Sequence, residues 1–81
     1  MRAYFQRVSF APERWQQSPW GDSESGFWAV ASDGNRVLWY NHIEEGFNVS
    51  TFVERGRIPE NEYWCNQDEI GWALPKLMGN A

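Results

Sequence analysis

The chain has 81 residues, of which 42% are hydrophobic and 17% aromatic, with 7 basic against 11 acidic side chains and a net charge of −4 at pH 7. A chain of this size buries roughly 60 to 65% of its unfolded surface, which suits one domain over residues 1–81 and leaves little material for a deep cleft. Apolar content is that of a globular protein, no apolar run approaches the roughly 18 residues of a membrane helix, and Met1-Arg2 leads into no continuous hydrophobic stretch of signal-peptide type. These features predict a soluble cytoplasmic protein with no membrane partner. The acid excess argues against nucleic acid as well, because that affinity depends on basic neutralisation of phosphates.

From the start, Ala3 to Phe10 alternates well enough for a first strand, with Tyr4, Val8 and Phe10 on one side and Phe5 on the other. Residues 11–25 hold Pro12, Ser18, Pro19, Gly21, Ser23 and Ser25, the composition of a long loop. Within it, Pro12-Glu13-Arg14-Trp15 suits one helical turn, and Trp15 and Trp20 are expected to anchor the loop to the body.

Phe27 to Glu54 carries three alternating apolar runs separated by Asp33-Gly34 and Glu44-Glu45-Gly46. Asp-Gly favours a two-residue type I′ turn, which sets Val30 against Val37 and Trp28 against Trp39. A three-residue turn Asp33-Gly34-Asn35 sets Trp39 against Ala29 instead. In the second turn Gly46 occupies the expected left-handed position, so that Ile43 flanks Phe47, Trp39 meets Thr51 and Val37 meets Val53. One face then reads Trp28, Val30, Val37, Trp39, Ile43, Phe47, Val49, Val53, and is the expected core. The other carries Phe27, Ala29, Leu38, Tyr40, His42, Asn48, Ser50 and Phe52, with Arg36 paired to Glu54.

Beyond Glu54, residues 55–59 read as a connector and Glu62 to Cys65 as a short fifth strand or extended loop. A helix is predicted over 66–78, with Asn66 as N-cap, Glu69 in the reciprocal position, Ile70, Leu74 and Leu77 as its apolar stripe and Gly79 as its stop. Pro75 should kink or end it near Leu74. The expected fold class is α+β: a small antiparallel sheet of four strands, or five if 62–65 joins, built on the 27–54 meander and packed by one C-terminal helix.

Chemistry is sparse. His42 and Cys65 are the only residues of their kinds, which excludes an internal disulfide and the usual Cys/His metal cluster, and the acids lack calcium-loop spacing. A relay of Cys65, His42 and Asp68 has no supporting spacing; Cys65 reads better as a small hydrophobe. The carboxylate pairs Glu44/Glu45 and Asp68/Glu69 are explained by a turn and a cap, Glu60/Glu62 would need a cleft, and the glycines form no phosphate loop. No cofactor and no catalytic residue are predicted, and the sequon Asn48-Val49-Ser50 lies within a predicted strand.

What remains is an aromatic surplus, six Trp, three Tyr and five Phe, too many for one face to hide. Phe27, Leu38, Tyr40 and Phe52, edged by His42 and Arg36, form the expected contact row. Residues 44–69 add seven acids against Arg55 and Arg57, a charge that steers toward a basic partner or simply keeps the protein soluble. The expectation is a small acidic non-enzymatic module that binds a protein or itself, in the manner of an inhibitor or immunity protein. The alternative is a carbohydrate-binding module that stacks sugars on its rings. A helix laid over the contact row through Ile70, Leu74 and Leu77 would turn that row into a second core.

Overall fold

The structure, a computed structural model, describes residues 2–18, 26–63 and 68–79. Helix α1 (Arg2–Val8) precedes strands β1 (Ser9–Trp15), β2 (Phe27–Asp33), β3 (Arg36–Asn41) and β4 (Gly46–Thr51); a 3-10 turn at Glu60–Glu62 and helix α2 (Ile70–Leu77) follow. The strands make one antiparallel sheet in the order β1-β2-β3-β4. The α+β class, the four-stranded sheet and the C-terminal helix on it are as the sequence predicts. The local assignments differ in instructive ways.

Residues 2–8 are helical rather than extended. Tyr4 and Val8 lie four apart and Phe5 beside them, so the same residues make a helical stripe, and all three pack against one apolar cluster. The strand begins where this stripe ends, and β1 runs through the first part of the expected 11–25 loop. Trp15 does anchor this region, fully buried, but as the last residue of a strand. Trp20 lies outside the described residues.

Both hairpins close differently from the expectation. Asp33 pairs with Arg36, so Gly34 and Asn35 are the central residues, and Gly34 at φ 62° alone in that turn has positive φ, as a type II′ turn requires. An extra residue at Val30 then bulges β2 and brings Ala29 opposite Trp39 and Trp28 opposite Tyr40. In the second turn Asn41 pairs with Gly46, leaving four loop residues, and the left-handed position belongs to Glu45 (φ 59°), not to Gly46. Asn41 causes this: its Oδ1 accepts the amides of Ile43 and Glu44, both at 3.1 Å, which winds the chain into a turn before Gly46 is reached.

That closure slips β4 by three residues from the expected register, and an odd slip exchanges its faces. Asn48 now meets Trp39 and Ser50 meets Val37, while Phe47 meets Tyr40 and Val49 meets Leu38. Val53, expected in the core, is 97% exposed, and Ile43 stands out on the turn at 46%.

The result is a sheet with a core on each side. One contains Trp15, Phe27, Ala29, Val37, Trp39 and Ile58; the other joins Ala31 and Leu38 to Tyr4 of α1 and Ala73, Leu74 and Leu77 of α2. Helix α1 packs on β2, and α2 on β3 and β4. The polar residues that the slip places beside Trp39 are satisfied: Trp39 Nε1 donates to Ser50 Oγ (2.9 Å), Ser50 donates to the Glu62 carbonyl (2.6 Å), and Asn41 Nδ2 donates to Asn48 Oδ1 (3.0 Å).

Helix α2 also corrects the expectation. Pro75 lies inside it without ending it, because the buried Leu77 continues the apolar stripe through the one lost hydrogen bond. The described helix starts at Ile70 beside Glu69, whose side chain makes no cap bond; Asn66, the expected cap, is outside the described residues. So are Trp64 and Cys65 of the expected fifth strand, while Glu62 ends the 3-10 turn.

Two outcomes follow. Leu38→Ala and Trp39→Ala, adjacent residues on opposite faces, should each cost about 2 to 5 kcal/mol in urea unfolding, since each leaves a cavity in a separate core; a loss under about 1 kcal/mol for either would show that its face is not core. Glu45→Gly should stabilise by about 0.5 to 1 kcal/mol, relief of left-handed strain exceeding the added chain entropy.

Candidate functional site

The six residues grouped by the sequence do not form one row. Phe27 is fully buried, with ring centroids 4.7 Å from Trp39 and 6.0 Å from Tyr63, and Phe52 meets Trp15 edge-on at 5.0 Å in the same core. His42 sits exposed at the rim of that core, its ring 5.0 Å from Phe27. Leu38 is fully buried on the opposite side under the helices, where Tyr40 lies at one end of the strand and Arg36 at the other. The face exchange in β4 and the bulge in β2 account for this dispersal.

The same two irregularities assemble a different row. Arg14, Trp28, Tyr40 and Phe47 lie directly opposite one another across all four strands. The guanidinium carbon of Arg14 stands 4.3 Å from the centroid of Trp28, and Tyr40 meets Phe47 edge-to-face at 5.3 Å and 68°. Trp28 remains 40% exposed and Ile70, at the start of α2, 38%. A groove of about 520 Å³ opens beside Tyr40 and Phe47, bordered by Glu45, Asp68, Glu69 and Ile70. Asp68 is joined to Lys76 and paired through its backbone with Phe47, so Glu45 and Glu69 are the carboxylates this groove leaves exposed.

Sequence reasoning placed Trp28 and Phe47 in the core beside Trp39 and so missed them as surface residues. The signal that would have found them is Asn41. An Asn opening a turn competes with a downstream glycine for its closure, and the Asn-closed register is the one that puts Phe47 beside Tyr40.

The far end of α2 has its own cleft, of about 500 Å³, between Arg36, Val49, Thr51, Glu62, Lys76 and Gly79. Arg36 Nε donates to the Leu77 carbonyl at 2.6 Å and so closes the C-terminal end of the helix. Opposite Arg36 in the register stands Asp33, whose Oδ2 accepts the Tyr4 hydroxyl at 2.6 Å and ties α1 to the first hairpin. Burial first, then this hydrogen bond and the Asp33 charge, push the Tyr4 phenol up from 10.0 to about 12, with Arg36 and Arg7 opposing.

Among the described residues, no group of three His, Cys, Asp or Glu is arranged to hold a metal ion, and no helix is long and apolar enough to cross a membrane. Cys65 lies outside those residues. Comparison with models of protein families, with curated proteins and with solved structures finds no match to the chain.

The Tyr4 shift sets an alkaline limit. Because the unfolded phenol ionises near 10.0 and the folded one near 12, the unfolded state loses its proton first, and stability present below pH 10 declines as pH rises between these values. Wild-type stability should therefore fall more steeply above about pH 10 than that of Tyr4→Phe. Parallel pH profiles of urea midpoints would show that burial and the Asp33 bond do not hold the Tyr4 proton in the folded state.

Proposed function

We propose that the protein is a non-enzymatic binding module whose partner is a basic protein or peptide, held at the aromatic end of the sheet. The observation that carries this reading is the row Arg14–Trp28–Tyr40–Phe47, which ends in a groove edged by the exposed carboxylates of Glu45 and Glu69. Trp and Tyr are favoured interface anchors because they bury much area with few rotors. The molecule already seats one guanidinium on this row, Arg14 on Trp28. At the other end, a partner's Arg or Lys would lie against Tyr40 or Phe47 and within reach of both carboxylates.

The acids of residues 44–69 would raise the encounter rate with such a partner, so association should weaken with salt. An inhibitor or immunity-type role for a basic enzyme fits the size and charge, as does a cytoplasmic setting in which a lone thiol stays reduced. Carbohydrate is the weaker reading. A stacking platform needs rings presented flat, whereas Tyr40 and Phe47 meet at 68° and Arg14 covers part of Trp28.

Affinity capture from the source organism tests this with three baits: wild type, Trp28→Ala and the charge-reversed pair Glu45→Lys/Glu69→Lys. A basic protein should be retained by wild type and lost from both variants, each still folded by circular dichroism, with roughly tenfold or greater weakening for Trp28→Ala. Retention by all three baits would remove the row from the function. A tryptophan fluorescence response to sugars that vanishes in Trp28→Ala would favour carbohydrate.

A further inference from the structure

We infer that the cleft at the C-terminal end of α2 binds a small zwitterion, a molecule carrying both a carboxylate and an ammonium group. This site stands apart from the aromatic row: Arg36 and Tyr40 are four residues apart on β3, about 13 Å along the strand.

The argument begins with Arg36. Its Nε is committed to the Leu77 carbonyl, which fixes the plane of the guanidinium. Its terminal nitrogens lie over Gly79, where a Cβ would come within 3.3 Å of Nη2, and where φ is +96°. Glycine therefore lets the chain pack closely against one face of the guanidinium, while among the described residues no protein acceptor takes the Nη1 and Nη2 protons along its edge. Among the described residues no carboxylate pairs with it. A guanidinium presents parallel N–H donors at the spacing of a carboxylate, so the edge left open is the one that grips such a group with two hydrogen bonds.

Glu62 supplies the opposite charge. One of its oxygens accepts the Thr51 amide at 2.9 Å, which holds the carboxylate at the cleft wall and leaves the second oxygen without a protein donor among the described residues. Lys76, also on the wall, is neutralised by Asp68. The cleft thus carries a guanidinium and a carboxylate that make no salt bridge among the described residues, with Val49 as an apolar part of its lining. A simple anion gains from Arg36 and is repelled by Glu62, and a simple cation meets the reverse. Only a ligand with both charges gains from both. A volume of about 500 Å³ accommodates a molecule of amino-acid size.

Calorimetry and amide NMR on the full chain test this with L-leucine, with isocaproate and isoamylamine, which lack its ammonium and its carboxylate respectively, and with aminocaproate, whose charges are farther apart. Leucine or aminocaproate should move the Thr51 and Gly79 amides saturably and bind at least about tenfold more tightly than either singly charged analogue, as one added charge-assisted contact implies. Tighter leucine assigns an α-amino acid, and tighter aminocaproate a lysine-like separation of charge. Glu62→Gln keeps an oxygen for the Thr51 amide and removes the charge, so it should abolish the preference for zwitterion over isocaproate without lowering the Tm. Arg36→Lys should weaken both carboxylates. Equal binding of all four compounds, no saturation by any of them, or an intact preference in a folded Glu62→Gln would overturn the inference.

Discussion

The Asn41 side chain is the contact on which the arrangement of this molecule depends. By accepting the Ile43 and Glu44 amides it closes the β3–β4 turn at four residues, and by donating to Asn48 it holds the partner strand in that register. The consequence is read along β3, where Val37, Leu38 and Trp39 are consecutive and all fully buried. A strand with three such neighbours needs cover on both faces. Trp15, Ile58 and Tyr63 provide it on one side and the two helices on the other. A closure one residue shorter would put Ser50 and Asn48 under the apolar helices, where Ser50 would lose Trp39 Nε1 and the Glu62 carbonyl, and where buried polar groups are costly.

Two covered faces also explain the aromatic content. Fourteen aromatic residues exceed what one face can hide, and the sequence reading took the excess for a binding surface. Much of it is instead the second layer of a two-sided core. The class and the C-terminal stripe of Leu74 and Leu77 were legible because they depend on periodicity, which survives an error in register. The faces were not, because they depend on loop length to the residue. The N-terminal segment was misread for a different reason: Tyr4, Phe5 and Val8 satisfy helical spacing as well as a partial alternation, and only packing against β2 decides between them. Tyr40 and Arg36 kept their place on one face since both belong to β3, whereas Phe27 and Phe52 joined them only through the turns that closed differently.

The sheet's two edges are covered or broken. On β4, Phe47 exchanges both backbone hydrogen bonds with Asp68, and the Thr51 amide is held by Glu62. On β1, the register shift between Ser9 and Glu13 and the presence of Pro12 break the ladder, and charged Glu13 and Arg14 follow. Arg55 adds a brace, paired with Glu13 at 3.1 Å and standing 4.7 Å from the Phe10 ring. Among the described residues neither edge strand thus offers a long unpaired edge for strand addition, and the exposed large apolar side chains include Trp28 in the aromatic row and Ile70 at the groove.

Helix α2 then relates the two surface features. Its eight residues rise about 12 Å, close to the four-residue step of about 13 Å that separates Tyr40 from Arg36 along β3. One turn begins over the Tyr40–Phe47 end and the other ends against Arg36, so a single apolar stripe of Ala73, Leu74 and Leu77 fixes both clefts to the same strand. The charges agree with the helix dipole: Asp68 and Glu69 stand at its N-terminal end, and Lys76 with the Arg36 guanidinium at its C-terminal end. Pro75 is tolerated because the helix is anchored at both ends by contacts outside its own hydrogen-bond ladder, the Phe47–Asp68 pairing at the start and the Arg36 bond at the finish. Both anchors reach the helix from β3 and β4, whose register Asn41 sets.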